Sequence, residues 1–390
     1  MDLPIRGGVF LLILSGLLVA VSVEGRSQLV ISGQASAGFA NGESGASQYT
    51  LDVGRPTFLW RGDLFVDAVL SEHFAFLSNF RILQDQELRV DRFALRASDI
   101  ASTGISAELG QVDLPLGNLG ERRFPWQNAF YRLPLMNEHL TTLCPSDYNV
   151  WILSPDFALS GDGVRILDLG LYDLGLKVFG VWGILDYSLA VINGMPSATS
   201  TYGKGGLNGN TGLGTIARLA VTPMTGLTVG GSYGTGSFMN DQSGDTLSFL
   251  YGRDPGDYPQ NIIGGDIEFS LGYFSFYGEA IYNIWKQQQD LKAFGYSAEA
   301  QYAFTPRCSF AARAGGLIFS EVTNLMVPSY SGMVPYSGKW DHDVFRLETS
   351  LQFRLSREAL IKFVYEWNRT FNVIDDSPDN LLVIQTVLSL

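Results

Sequence analysis

An all-β fold, a transmembrane antiparallel β-barrel of about sixteen strands, is predicted by three features of the 390-residue sequence. The chain is 46% hydrophobic and only 17% charged, yet past residue 25 it holds no apolar run long enough for a helix to cross a bilayer. Apolar and polar residues instead alternate with period two in segment after segment. Short and long connections between these segments also alternate, as they must when one rim of a barrel carries tight turns and the other carries loops.

The N-terminal segment stands apart from this pattern. Arg6 supplies a positive start, residues 9–23 form an apolar stretch, and Val23 and Gly25 are small enough to flank a cleavage site. Residues 1–25 therefore read as a secretory signal peptide and residues 26–390 as the barrel domain of an exported protein. The two cysteines, Cys144 and Cys308, fall on opposite faces of the membrane in this topology, which argues against a disulfide between them.

In order, strands are expected at 27–40, 56–70, 72–83, 88–98 and 104–113; at 174–182, 184–194, 214–223 and 226–236; and at 262–271, 273–285, 292–304, 308–320, 343–355, 358–371 and 381–390. Most are long enough to cross a membrane at a tilt. The pattern is clearest late in the chain. Phe345, Leu347, Thr349, Leu351 and Phe353 interleave with Arg346, Glu348, Ser350, Gln352 and Arg354, and Ile361, Phe363, Tyr365 and Trp367 with Lys362, Val364, Glu366 and Asn368. In a barrel the first set meets lipid and the second lines the lumen. Tight turns are expected near Ser71-Glu72, Thr222-Pro223, Thr305-Pro306 and Ser356-Arg357, and polar loops at 41–55, 114–173, 195–213, 237–261 and 321–342. A further strand within 163–173 would change the count to eighteen or shorten the third loop. Trp60, Phe74, Phe76, Tyr187, Tyr273, Phe304, Trp367 and Phe371 lie near strand ends, where aromatic girdles form.

The long third loop carries a resemblance. Gly110-Gln111, Pro115-Leu116-Gly117, Arg122, Pro125, Asn128 and Pro134-Leu135, followed by the stretch from Leu185 to Gly194, resemble a segment of porin-like and phosphate-selective-porin-like outer-membrane proteins. The likeness covers about residues 85–194. It implies a sixteen-stranded barrel, a possible homo-trimer, and a third loop folded into the lumen. Glu121, Arg122, Arg123, Arg132, Glu138 and Asp147 would then be constriction residues. Anion selectivity does not carry over, because the chain is acidic and lacks a lysine cluster. The last residue, Leu390, also departs from the terminal aromatic usual in such proteins.

On the alternation, Arg61, Arg81, Arg92 and Arg96 face the lumen on strands two to four, and Asp266, Glu268, Glu279 and Glu299 on strands ten to twelve. They set up either a transverse field across the pore or ion pairs along the wall.

The net charge of −13 argues against nucleic-acid partners. No cofactor, metal or haem motif is present; there is no C-x-x-C-H and no zinc spacing. His73, His139 and the Asp341-His342-Asp343 run offer little for a barrel enzyme, so catalysis is not expected. The reading is a channel in the cell outer membrane, surrounded by its lipid, that passes small hydrophilic solutes or ions by diffusion. The alternative is a barrel sheath around a partner protein such as a periplasmic cytochrome in an electron conduit.

Overall fold

The computed structural model describes residues 28–42, 57–83, 88–146, 149–152, 163–167, 171–197, 213–238, 257–287, 289–329, 332–371 and 380–390. The proposed signal peptide and Asp147 lie outside these residues.

Sixteen strands form a closed barrel. They are β1 (Gln28–Gly42), β2 (Thr57–Val69), β3 (Phe74–Leu83), β4 (Leu88–Ala97), β5 (Ile105–Asp113), β8 (Tyr172–Trp182), β9 (Leu185–Ile192), β10 (Gly214–Met224), β11 (Leu227–Ser237), β12 (Pro259–Leu271), β13 (Phe274–Trp285), β14 (Leu291–Thr305), β15 (Cys308–Phe319), β18 (Val344–Arg354), β19 (Ala359–Thr370) and β20 (Leu381–Ser389). Each is antiparallel to its neighbours, and β20 pairs with β1 from Gln34↔Ser389 to Gly42↔Leu381 to close the sheet. Closure removes the unpaired edges that an open sheet would leave in lipid.

All sixteen expected segments coincide with barrel strands. Two regions taken as plain loops differ. The 114–173 loop contains the hairpin β6 (Leu143–Ser146) and β7 (Asn149–Ile152), and the 321–342 loop contains β16 (Glu321–Ser329) and β17 (Gly332–Lys339). Both hairpins lie outside the barrel sheet. Among the described residues, 163–167 contribute no barrel strand but a single bridge, Leu140↔Arg165, so the count stays at sixteen. The 237–261 loop is shorter than expected because β12 begins at Pro259.

Side chains alternate across the wall as the period-two pattern requires. On β20, Leu382, Ile384 and Leu388 are exposed on the outside, while Val383, Gln385 and Val387 are buried on the inside. On β19, Phe363, Tyr365 and Trp367 point out, and Lys362, Glu366 and Asn368 point in. The aromatics Trp60, Phe74, Tyr273, Phe304, Trp367 and Phe371 are exposed on the outer surface or rims. The buried apolar residues lie inside the barrel. One cluster joins Leu114, Leu116, Leu135, Met136 and Ile166 of the third loop to Ile216, Ile281, Trp285 and Trp340; another joins Ala129 and Phe130 to Ala40, Leu59, Val364 and Val383.

Candidate functional site

The third loop, residues 114–171, leaves β5 and crosses the lumen before returning to β8. Its first leg runs along the far wall. The backbone N–H of Gly117 donates to Ser232 Oγ on β11 at 3.3 Å, and the Asn118 side-chain amide donates to the carbonyl of Ile267 on β12 at 3.0 Å. Gly117 adopts φ +59°, and a Cβ there would run into the Glu279 carboxylate, so only glycine suits this approach. The Gly120–Arg123 3₁₀ turn follows and presents Arg122, which stacks on Tyr277 at 3.9 Å and pairs with Glu299 at 3.2 Å.

The second leg crosses to the opposite wall. Trp126 N–H donates to Gln34 Oε1 on β1 at 2.7 Å. The fully buried Lys362 ammonium of β19 donates to the carbonyls of Pro125 and Asn128. Phe130 lies under the Arg313 guanidinium at 4.3 Å, and Arg313 also donates to the Arg132 carbonyl at 2.7 Å.

The helical turn Leu135–Glu138 sits beneath a buried charge cluster. Glu138 pairs with Arg132 at 2.6 Å and with Arg346 of β18 at 3.2 Å. Burial pushes the Glu138 carboxyl up, but the two guanidiniums and the Leu133 N–H outweigh it and hold the group below the usual glutamate range. Further on, His139 and Asp341 meet at 3.2 Å with both side chains fully buried, and the N–H of Thr142 donates to the same carboxylate at 3.1 Å. Asp341 thus engages His139 from the loop, and its sealed position marks a structural contact rather than a base that a substrate could reach.

The wall charges fall into local pairs. Asp63 accepts from Arg61 at 2.8 Å and from Arg81 at 3.1 Å, and Arg81 also meets Asp91 at 2.6 Å. Glu108 of β5 binds Arg92 at 2.8 Å and Arg96 at 2.6 Å, while Lys177 of β8 reaches Asp113 at 2.9 Å. Across the lumen, Arg218 pairs with Asp266 at 2.6 Å, and Arg313 with Glu348 at 2.5 Å. Each side of the barrel therefore carries both signs in contact, the arrangement in which charges pair along the wall.

The candidates separate by position. Arg61, Arg81, Arg92 and Arg96 face inward from β2–β4, and Asp266, Glu268, Glu279 and Glu299 face inward from β12–β14. Arg122 and Glu121 sit at the loop's turn, with Glu121 exposed and Arg123 buried on the Tyr172 ring at 4.2 Å. Arg132 and Glu138 anchor the loop instead of lining open water.

Sequence reasoning missed Asp91, Glu108, Lys177, Arg218 and Arg313; it placed Arg346 and Lys362 in the lumen, and noted Asp341 beside His342, without their loop contacts. Asp91 is hidden by a bulge: Asn79 faces Arg92 while Phe80 faces Val90, so Asp91 is the extra residue and strict alternation fails there. Glu108, Lys177, Arg218 and Arg313 lie at inward positions of the alternation and were legible as lumen residues, though not by their partners, whereas Asp341 lies between β17 and β18, outside any strand.

No family model and no curated protein matches the sequence. Solved structures do match the fold. An anion-selective porin from Comamonas acidovorans superposes with a TM-score of 0.60 at 9% identity, covering 94% of this chain and 100% of that one. OmpT of Vibrio cholerae, an outer-membrane protein folded in vitro, gives 0.56 at 10% identity over 95% and 99% of the two chains. The outer-membrane channel DcaP of Acinetobacter baumannii gives 0.55 at 10% identity over 94% and 99%. The fold is that of the sixteen-stranded bacterial outer-membrane porins, a class of β-barrel channel.

Proposed function

We propose that the protein is a porin of a bacterial outer membrane, a water-filled channel through which small hydrophilic solutes or ions diffuse. The observation that carries this reading is a closed barrel with an apolar exterior and a charged interior, narrowed by its own third loop. An apolar belt suits the outside for lipid, and inward charges suit the inside for water. No step of bond chemistry is needed for such a role, and the protein acts without catalysis. Export by cleavage of residues 1–25 would deliver it to the envelope. A trimer form is described for OmpT, which makes a homo-trimer the assembly to test.

The third loop also weighs against the sheath reading. It occupies the lumen and bonds to β1, β11, β12, β14, β15, β18 and β19, where a partner protein would have to sit. Purified protein added to a planar bilayer is expected to give discrete conductance steps. A bilayer that stays silent over repeated reconstitutions would overturn the channel reading.

A further inference from the structure

We infer that the pore favours cations over anions, and that the inward carboxylates left without a counter-charge set this preference. The inference rests on the channel reading above and names the class of solute that channel passes best.

Arg61, Arg81, Arg92, Arg96, Lys177, Arg218 and Arg122 each have a carboxylate oxygen within 3.2 Å. A contact pair presents a dipole to passing ions, and its field falls off faster than that of a lone charge, but Arg92, Arg96 and Lys177 share only Glu108 and Asp113 and so keep one positive charge in excess. Lys362, bound to two backbone carbonyls, is fully buried behind the loop and out of reach of the water path.

The carboxylates differ. Glu121 is exposed on the turn of the third loop, and among the described residues it has no ion pair. Glu268 on β12 lies half-buried beside Tyr277, again without a cation in contact. Asp186 on β9 is exposed near the turn end of the barrel, and Asp67 on β2 accepts from the Ser78 backbone N–H with no ion pair among the described residues. Set against these four are the one positive charge in excess at Arg92, Arg96 and Lys177 and, among the described residues, the exposed Arg354, which lies over the Trp126 ring at 5.7 Å. The uncompensated charge along the described path is therefore negative, and it includes the loop turn where the lumen is crossed. A lone carboxylate at pore distances changes the local ratio of cations to anions about twofold to threefold in dilute salt.

Reversal potentials across a potassium chloride gradient test the inference directly. The wild-type channel is expected to give a potential on the cation side, and Glu121→Gln with Glu268→Gln is expected to move it towards zero, about twofold in permeability ratio per carboxylate. Asp186→Asn, exposed and near the rim, should shift it the same way and serves where the double variant folds poorly. Glu358→Gln, on the β18–β19 turn outside the lumen, should leave it unchanged. An open channel with a zero or anion-sided potential, or one insensitive to all three lumen substitutions, would overturn the cation preference while leaving the channel intact. Bilayers without conductance steps would instead overturn the channel reading itself.

Discussion

Glu138 shows how a single side chain can hold a long loop in place. Its carboxylate joins Arg132, from the same loop, to Arg346, whose side chain is 1% exposed on β18. Substituting Glu138 with Gln leaves two guanidiniums facing each other with one charge removed. Breaking a buried pair in this way costs about 3–5 kcal/mol. The Glu138→Gln variant is expected to lose resistance to unfolding in detergent at neutral pH, read as a lower midpoint for the heat-induced change in mobility. The pH dependence follows from the depressed carboxyl. A folded-state value below the unfolded one contributes stability that is complete above the unfolded value and disappears as pH falls through the depressed one. Wild-type protein should therefore keep its loop anchor through the usual glutamate range and weaken only in stronger acid. That acid-dependent step should shrink in Glu138→Gln; an identical acid profile in both proteins would show that this carboxylate does not hold the loop.

At the scale of elements, the strands were legible and the loop's path was not. Strand positions follow from alternation within ten or so neighbouring residues, as at 343–355 and 358–371, and such local patterns survive in the sequence. The contacts that seat the third loop join residues far apart in the chain, such as Pro125 with Lys362 and Arg132 with Arg313. Nothing in the spacing of either partner marks it. The resemblance around Pro115-Leu116-Gly117 did imply a loop folded inward, but not which wall it would meet. The β6–β7 and β16–β17 hairpins escaped for another reason: the strands of the first are four residues each, those of the second carry Pro328 and Pro335, and both lie in regions read as polar loops.

Lys362 tests the seating of the loop as a unit. Its ammonium serves two carbonyls of the second leg, and Lys362→Met keeps the side-chain length while leaving both acceptors unsatisfied, at about 1–3 kcal/mol each. The barrel should still assemble, because the β18–β19 and β19–β20 ladders do not depend on the ammonium. The loop should instead become cleavable by protease added to the folded protein, and single-channel current should fluctuate more. Unchanged cleavage and current would assign the loop's position to the other anchors.

For the whole molecule, everything turns on closure of β20 against β1 in one register. Barrel diameter and strand tilt depend jointly on strand number and stagger, so a slip at this seam would change the lumen and every wall pairing with it. The backbone of Leu390 extends the seam, donating to the Gly33 carbonyl at 2.8 Å, so the departure from a terminal aromatic leaves its pairing intact. Ala35 faces Leu388 across the seam, and both side chains point outward. Directly opposed residues place their Cβ atoms about 4.5–5.5 Å apart, a small adjustment from the roughly 3.5–4.5 Å a disulfide spans, whereas positions displaced by two residues stand about 7–8 Å apart. With Cys144→Ser and Cys308→Ser as background, Ala35→Cys with Leu388→Cys should crosslink under mild oxidation of the folded protein. The bond would tie the two ends of the barrel together and alter the mobility of the heat-unfolded chain. Ala37→Cys with Leu388→Cys should not crosslink, because Ala37 faces Thr386 instead. Efficient bonding of the displaced pair with failure of the opposed one would mean a different stagger, and a lumen whose charges meet other partners than those described.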